Sequence, residues 1–363
     1  MAQLRQGNTK AAEAIFETVL ARKTAEGKAV YRQAAEAARH LGALAFLHDT
    51  NRALHAYRQA TRLDPENAEA WNQLGHLLSR IGQLDTAADA YRTVLRLGEE
   101  TSDRGLVASA YGNLGVVYGI RGDLDQAGAM YTRSLELYET LGHKEGMANQ
   151  YVNLGIVYQI RGDLNQAEAM FRKALKLYEV LGHKDGMASV YGNLGIVYQI
   201  RGDLDQAEAM HRSSLELHEA LGRREGVADQ YGNLGIVHGM RGDLDQAEAM
   251  FRKALELYEV LGRKEGIASQ YGNLGIVYQI RGDLDQAEAM FRSSLELHEV
   301  LGHKEGMANQ YGNLANVYGM RGNLDQAEAM YRKALTLFQE IGAALQMRRF
   351  QELLHALRTQ GPS

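Results

Sequence analysis

The sequence contains no cysteine, which excludes a disulfide framework, a thiolate nucleophile and a Cys-based zinc site. It has two prolines in 363 residues, Pro65 and Pro362, so little in it interrupts a helix. No apolar run approaches the ~20 residues of a membrane span, and the N-terminus lacks a signal-peptide core. A soluble, cytoplasmic chain without membrane contact is therefore expected. An excess of one charge is missing too, since 40 basic and 45 acidic side chains are well mixed for a net charge of −5. Nothing in that balance resembles a basic footprint for nucleic acid. Strand-like alternation is also absent. What is left is an all-helical chain whose 45% hydrophobic content is enough for a continuous core.

What the chain has in abundance is itself. The stretch from Tyr191 to Ala207 returns letter for letter at 271–287, and near-copies begin at Tyr111, Tyr151, Tyr231 and Tyr311, always 40 residues apart. Self-similarity at such a period marks a solenoid. In the copy from 148 to 187, Tyr151, Leu154, Gly155 and Tyr158 recur at the offsets of one helix face. Gly162 suits the left-handed residue that ends a helix. Asp163 can cap the next helix, with Gln166 completing a capping box. Leu164, Ala167, Met170, Phe171, Ala174, Leu175 and Tyr178 then trace a second helix, and Gly182 stops it. Each copy reads as two antiparallel helices of about 17 residues. The regular glycine turns exclude a heptad coiled coil. Glycine inside a helix costs about 1 kcal/mol relative to alanine, so its return at 115, 155, 195, 235 and 275 predicts close backbone approach there. Ala315 at the matching place shows that one methyl is tolerated.

The set Trp71, Leu74, Gly75, Gly82, Ala87 and Tyr91 resembles the tetratricopeptide repeat (TPR), as does Tyr151, Leu154, Gly155, Tyr158, Gly162, Ala167, Phe171 and Ala174. Leu63-Asp64-Pro65 resembles the usual end of a 34-residue unit. The 40-residue form with a Leu-Gly connector, as at 181–186, is similar to the repeats of Pins/LGN-type adaptors and related to those of kinesin light chains. The resemblance implies a right-handed superhelical solenoid of antiparallel helix pairs. Those adaptors often place Asp after the Leu-Gly, where this chain has His143, His183, Arg223, Arg263 and His303, so weaker N-caps are expected at these positions.

On this reading residues 1–27 are a partial repeat contributing its second helix, with Gly7 in its turn, and 28–67 are a divergent repeat. Seven units of 40-residue period fill 68–341, a capping helix follows at 342–358, and 359–363 form a tail. Opening partway through a unit suggests a segment of a longer protein. The near-identity of the copies fits recent duplication and consensus design alike.

Stacked pairs leave the first helices lining a concave groove. The residue before each Leu-Gly there, or before Leu-Ala in the last copy, is Asn113, Asn153, Asn193, Asn233, Asn273 or Asn313, with Gln73 one repeat earlier. A side-chain amide offers a donor and an acceptor, matching the backbone of an extended peptide. In TPR adaptors the matching asparagines bind ligand main chain, so the resemblance implies the same role here. The alternative is that they bond to the next helix and set superhelix geometry. Gln159, Gln199 and Gln279 stand in a neighbouring row and join the asparagines as candidate peptide-binding residues. A further row reads Ser109, Asn149, Ser189, Asp229, Ser269, Asn309, and an aliphatic one runs from Val116 to Ile276 until Asn316 breaks it. The lysine and arginine set with which TPR chaperone adaptors clamp a terminal carboxylate is missing.

Other motifs reduce to structure. Arg-Gly-Asp at 121, 161, 201, 241 and 281 supplies a helix stop and a cap rather than an adhesion signal. The methionine stripe from Met130 to Met330 is core. The twelve histidines include no metal-binding pair with a suitable glutamate. No catalytic constellation or cofactor motif is present. The expected function is a non-enzymatic scaffold that binds a protein or peptide partner in extended conformation. The sensor arm of a larger regulatory protein and a self-assembling scaffold, with self-association as its mark, are the alternatives.

Overall fold

The structure, a computed structural model, describes residues 9–24 and 28–359. Gly7 and the segment 360–363 of the expected tail lie outside the described residues. Among the described residues there are eighteen helices and no strand. Two compact units divide the chain, Met1–Gly182 and His183–Ser363.

In the first unit α1 (Thr9–Thr24) precedes four pairs: α2 (Lys28–Ala45) with α3 (Thr50–Leu63), α4 (Ala68–Arg80) with α5 (Leu84–Thr101), α6 (Arg104–Ile120) with α7 (Leu124–Leu141), and α8 (Lys144–Ile160) with α9 (Leu164–Leu181). In the second unit the pairs are α10 (Lys184–Arg201) with α11 (Leu204–Ala220), α12 (Arg224–Arg241) with α13 (Leu244–Leu261), α14 (Lys264–Arg281) with α15 (Leu284–Leu301), and α16 (Lys304–Met320) with α17 (Leu324–Glu340). The last helix, α18 (Ala344–Thr359), packs on α17 as a cap. Within each unit every helix packs chiefly on its neighbours in sequence, the one-dimensional arrangement of a solenoid.

The turns follow the sequence closely. Gly162 ends its helix at φ +80°, and the other inter-helix glycines share that left-handed conformation. Among the described residues only Ser102, at φ 56°, holds it without being glycine. Asp123, Asp163 and Asp283 accept from the backbone N–H three residues on, at 3.1, 3.2 and 3.3 Å. The capping box expected at Asp163 is half made, with the Gln166 N–H donating to the Asp163 carboxylate. In the equivalent turn the Gln286 side chain donates to the Asp283 carboxylate at 2.6 Å instead of reaching back to its N–H. The connector caps also differ from expectation. His143 and His183 are full N-caps, each Nδ1 accepting from the Gly146 or Gly186 N–H at 2.9 Å. An unprotonated ring nitrogen serves as acceptor as well as a carboxylate oxygen does. Arg223, Arg263 and His303 make no such bond, as their sequence suggested.

The core of each pair is a ring laid on a glycine, or on Ala315 in the last pair. A Cβ added at Gly155 would meet the Phe171 ring at 2.6 Å, and one at Gly235 or Gly275 would meet Phe251 or Phe291 at 2.5 Å. The close approach predicted for backbone is therefore an approach of aromatic side chain to backbone. Phe171 and Phe291 are fully buried by it. The methionine stripe is partly buried against the same clusters through Met130, Met170, Met290 and Met330. At the C-terminal end Phe350 of α18 packs on Tyr331 and Phe338 with ring centroids 6.0 and 5.1 Å apart.

Candidate functional site

In the second unit the successive first helices α10, α12, α14 and α16 touch one another, so their shared face is the tight side of the stack. Along α10 that face carries Ser189, Asn193, Ile196 and Ile200, spaced by four, three and four residues. It changes from hydroxyl and amide at the N-terminal end to aliphatic at the C-terminal end. Ile200, Met240, Ile280 and Met320 are each more than half exposed along the aliphatic edge.

A hollow of about 990 Å³ opens on this face, and Asn193, Asn233 and Asn273 all line it. A second, of about 450 Å³, is lined by Asn273 and Asn313 and bordered by Arg349, Phe350 and Leu353 of the capping helix. The asparagines differ in what they already bind. Asn273 and Asn313 donate to Gln270 and Gln310 in their own helices at 3.5 and 3.2 Å. Among the described residues Asn193 and Asn233 have no hydrogen-bond partner, and the neighbouring residues explain why. The place of the glutamine is taken by Val190 beside Asn193. Beside Asn233, Gln230 has its Oε1 2.9 Å from Nδ1 of His211, which occupies it from below.

The first unit uses its asparagines otherwise. Asn113 donates to Asn72 Oδ1 at 2.8 Å, a bond between first helices of the kind that sets stacking geometry. Asn153 donates weakly to Gln150 at 3.5 Å. The glutamine row does not join the hollows. Gln159 and Gln199 each bury an Oε1 with no partner, and Gln279 reaches only the Met320 sulfur at 3.7 Å.

Charge in the larger hollow is mostly spent internally. Arg223 pairs with Asp185 at 3.2 Å and Arg263 with Glu225 at 2.8 Å. Asp229 accepts from the Tyr258 hydroxyl, and crowding by the walls raises its pKa above the usual carboxylate value despite that bond. Burial foremost, then Asp229, raises the Tyr258 phenol in turn. Sequence reading placed Asp229 in a row without singling it out. The signal was there, since it is the one carboxylate among serines and asparagines. Its tyrosine partner, 29 residues on, is visible only in the fold.

The arginines of the turns, in Arg-Gly-Asp at 241 and 281 and in Arg-Gly-Asn at 321, serve neither hollow. Arg241, Arg281 and Arg321 reach back to Asp205, Asp245 and Asp285 at 2.6, 2.6 and 2.5 Å, and each also pairs with Glu208, Glu248 or Glu288. Among the described residues no cluster of His, Cys, Asp and Glu could hold a metal ion, and no helix is long and apolar enough to cross a membrane.

The family described as "Tetratricopeptide repeat" matches at 66–140, 106–179, 146–220, 186–259 and 266–340, and "TPR repeat" matches at 49–82. A comparison with curated proteins returns no significant match. Among solved structures, BtubC (BKLC) from P. vanneervenii is 25% identical with a TM-score of 0.53, over 60% of this chain and 92% of that one. The apo form of RapI is 16% identical with a TM-score of 0.62, over 76% and 99%. A Pyrococcus horikoshii signal transduction ATPase with numerous domains, which carries a tetratricopeptide repeat sensor, is 13% identical with a TM-score of 0.66, over 94% of this chain and 55% of that one. Repeat sequence, ring-on-glycine pairs and stacked helices agree throughout: this chain belongs to the tetratricopeptide repeat family.

Proposed function

We propose that this chain is a non-enzymatic interaction scaffold that holds a partner segment in extended form on the face shared by its first helices. The observation that carries this reading is the hollow lined by Asn193, Asn233 and Asn273, with the first two amides free of protein partners. An unpaired amide in a concavity is an unused donor and acceptor, and an extended backbone supplies the complement of both. Apolar side chains of the same segment find Ile200, Met240 and Ile280 along the adjoining edge. In the first unit Asn113 is committed to Asn72.

Capture from lysate by wild type beside Asn193→Ala/Asn233→Ala/Asn273→Ala, both shown to be folded, tests the reading. Partners kept by wild type and lost by the triple variant are expected. Identical partner sets would make the row structural. Light scattering on the same samples covers self-assembly, for which mass would rise with concentration.

A further inference from the structure

Within the larger hollow one residue stands apart. Its row carries a hydroxyl or an amide at 189, 269 and 309 but a carboxylate at Asp229. One turn separates Asp229 from Asn233 on α12, so both look into the same space. Tyr258 donates to only one of the two carboxylate oxygens. Among the described residues no lysine or arginine pairs with Asp229. The nearby guanidinium groups are engaged elsewhere, Arg223 by Asp185 and Arg263 by Glu225. Arg224 also lines the hollow, but five residues before Asp229 it lies off the same helical face. His218, whose ring lies against Gly226 less than one turn before Asp229, also lines the hollow, and burial lowers its pKa against the pull of Asp229. Asp229 is thus an open carboxylate, exposed to a ligand and without a lysine or arginine counter-ion.

We propose that Asp229 receives a basic side chain, lysine or arginine, of the extended segment bound by Asn193 and Asn233, and so sets the sequence preference of the scaffold. This rests on the reading of the hollow as a peptide site and adds the chemistry of one ligand position. A lysine or arginine there gives the carboxylate the charge-assisted partner that the fold withholds. A glutamate or aspartate at that position meets a like charge and is rejected.

The test is a positional-scanning library of capped peptides probed with the full chain, with Asp229→Ser, and with the triple asparagine variant. Serine is the occupant at 109, 189 and 269, and at 109 it precedes Tyr138 by the same 29 residues that separate Asp229 from Tyr258, so Asp229→Ser retains the fold. Wild type is expected to favour lysine or arginine at one position by about tenfold over serine, and Asp229→Ser to bind the library without that preference. If the triple variant loses binding while Asp229→Ser keeps the wild-type preference, the assignment of Asp229 is wrong and the peptide site stands. If the triple variant binds as wild type does, or wild type binds no peptide, both readings fall. Selection of acidic residues by wild type overturns the assignment directly.

Discussion

His211 shows how one substitution reaches both stability and site. It takes the place that Phe171, Phe251 and Phe291 hold in other copies, lying over Gly195 where an added Cβ would meet the ring at 2.5 Å. The ring is fully buried, and its Nε2 has no partner. Burial lowers its pKa below the ordinary histidine value, against the opposing bond to Gln230. A histidine held neutral in the fold keeps its contribution above the unfolded pKa of about 6.5, and that contribution is lost as pH falls below it, because the unfolded chain then binds the proton. His76, His218 and His298 are shifted down by burial in the same way. His211→Phe is expected to melt above wild type, by a margin that widens from pH 7.5 to pH 5.5. A constant margin across that range would show that the ring is not the acid-sensitive group. The same change releases Gln230 Oε1, which Asn233 then binds as Asn273 binds Gln270. Peptide affinity is therefore expected to drop while stability rises.

Between elements, the joints of the second unit are made by charge at helix ends. Arg281 closes α14 and reaches Asp245 and Glu248 in the opening turns of α13, so a cation at a helix C-terminus meets anions at a helix N-terminus and both dipoles are complemented. Burial works against the Glu248 carboxylate, but hydrogen bonds from Arg281, Tyr278 and Arg252 prevail and hold its pKa at about 2. That depressed value means stability present above the unfolded glutamate pKa of about 4.3 and lost as pH falls toward the folded one. Arg281→Ala is expected to cost about 1 kcal/mol at neutral pH, less in high salt, with the deficit shrinking from pH 5 to pH 3. Denaturant melts at each pH read it, and a deficit indifferent to both salt and pH would assign the arginine to packing alone. The turn glycine of Arg-Gly-Asp was legible from the repeat, as was the aspartate cap at Asp123, Asp163 and Asp283, because both act within a few residues; Asp203 and Asp243 make no side-chain cap bond. The arginine was not, since its partners lie 36 and 33 residues upstream and a perfect repeat makes every such offset look alike. The histidine caps were missed because a ring nitrogen caps only in one orientation, which sequence does not carry. The asparagine row was legible for the same reason as the glycines. Which of its members are free depended on Val190 and His211, one turn away in sequence or packed from the next helix.

Across the molecule, near-identical units make position almost interchangeable within a unit of the fold. Each helix of the second unit packs chiefly on its neighbours in sequence, so stability there is close to a sum of local terms. Removing residues 228–267, one full period, joins Val227 to Ala268, the residue equivalent to Ala228. Gln270, which now lies on Gly232, would then meet Gly192, where Gln230 lay before, and the new contact repeats the old one. The shortened chain is expected to fold cooperatively with native-like helix content per residue and a modestly lower denaturation midpoint. Loss of folding would mean that the copies are specialised to their places despite their letters. The deletion also removes Asp229 and Asn233 together while keeping Asn193, Asn273 and the aliphatic edge. If recognition is concentrated at Asp229, a folded deletion binds peptides without basic preference, as Asp229→Ser does. If it retains the wild-type preference, the specificity lies in what the remaining copies share, and no single rung sets it.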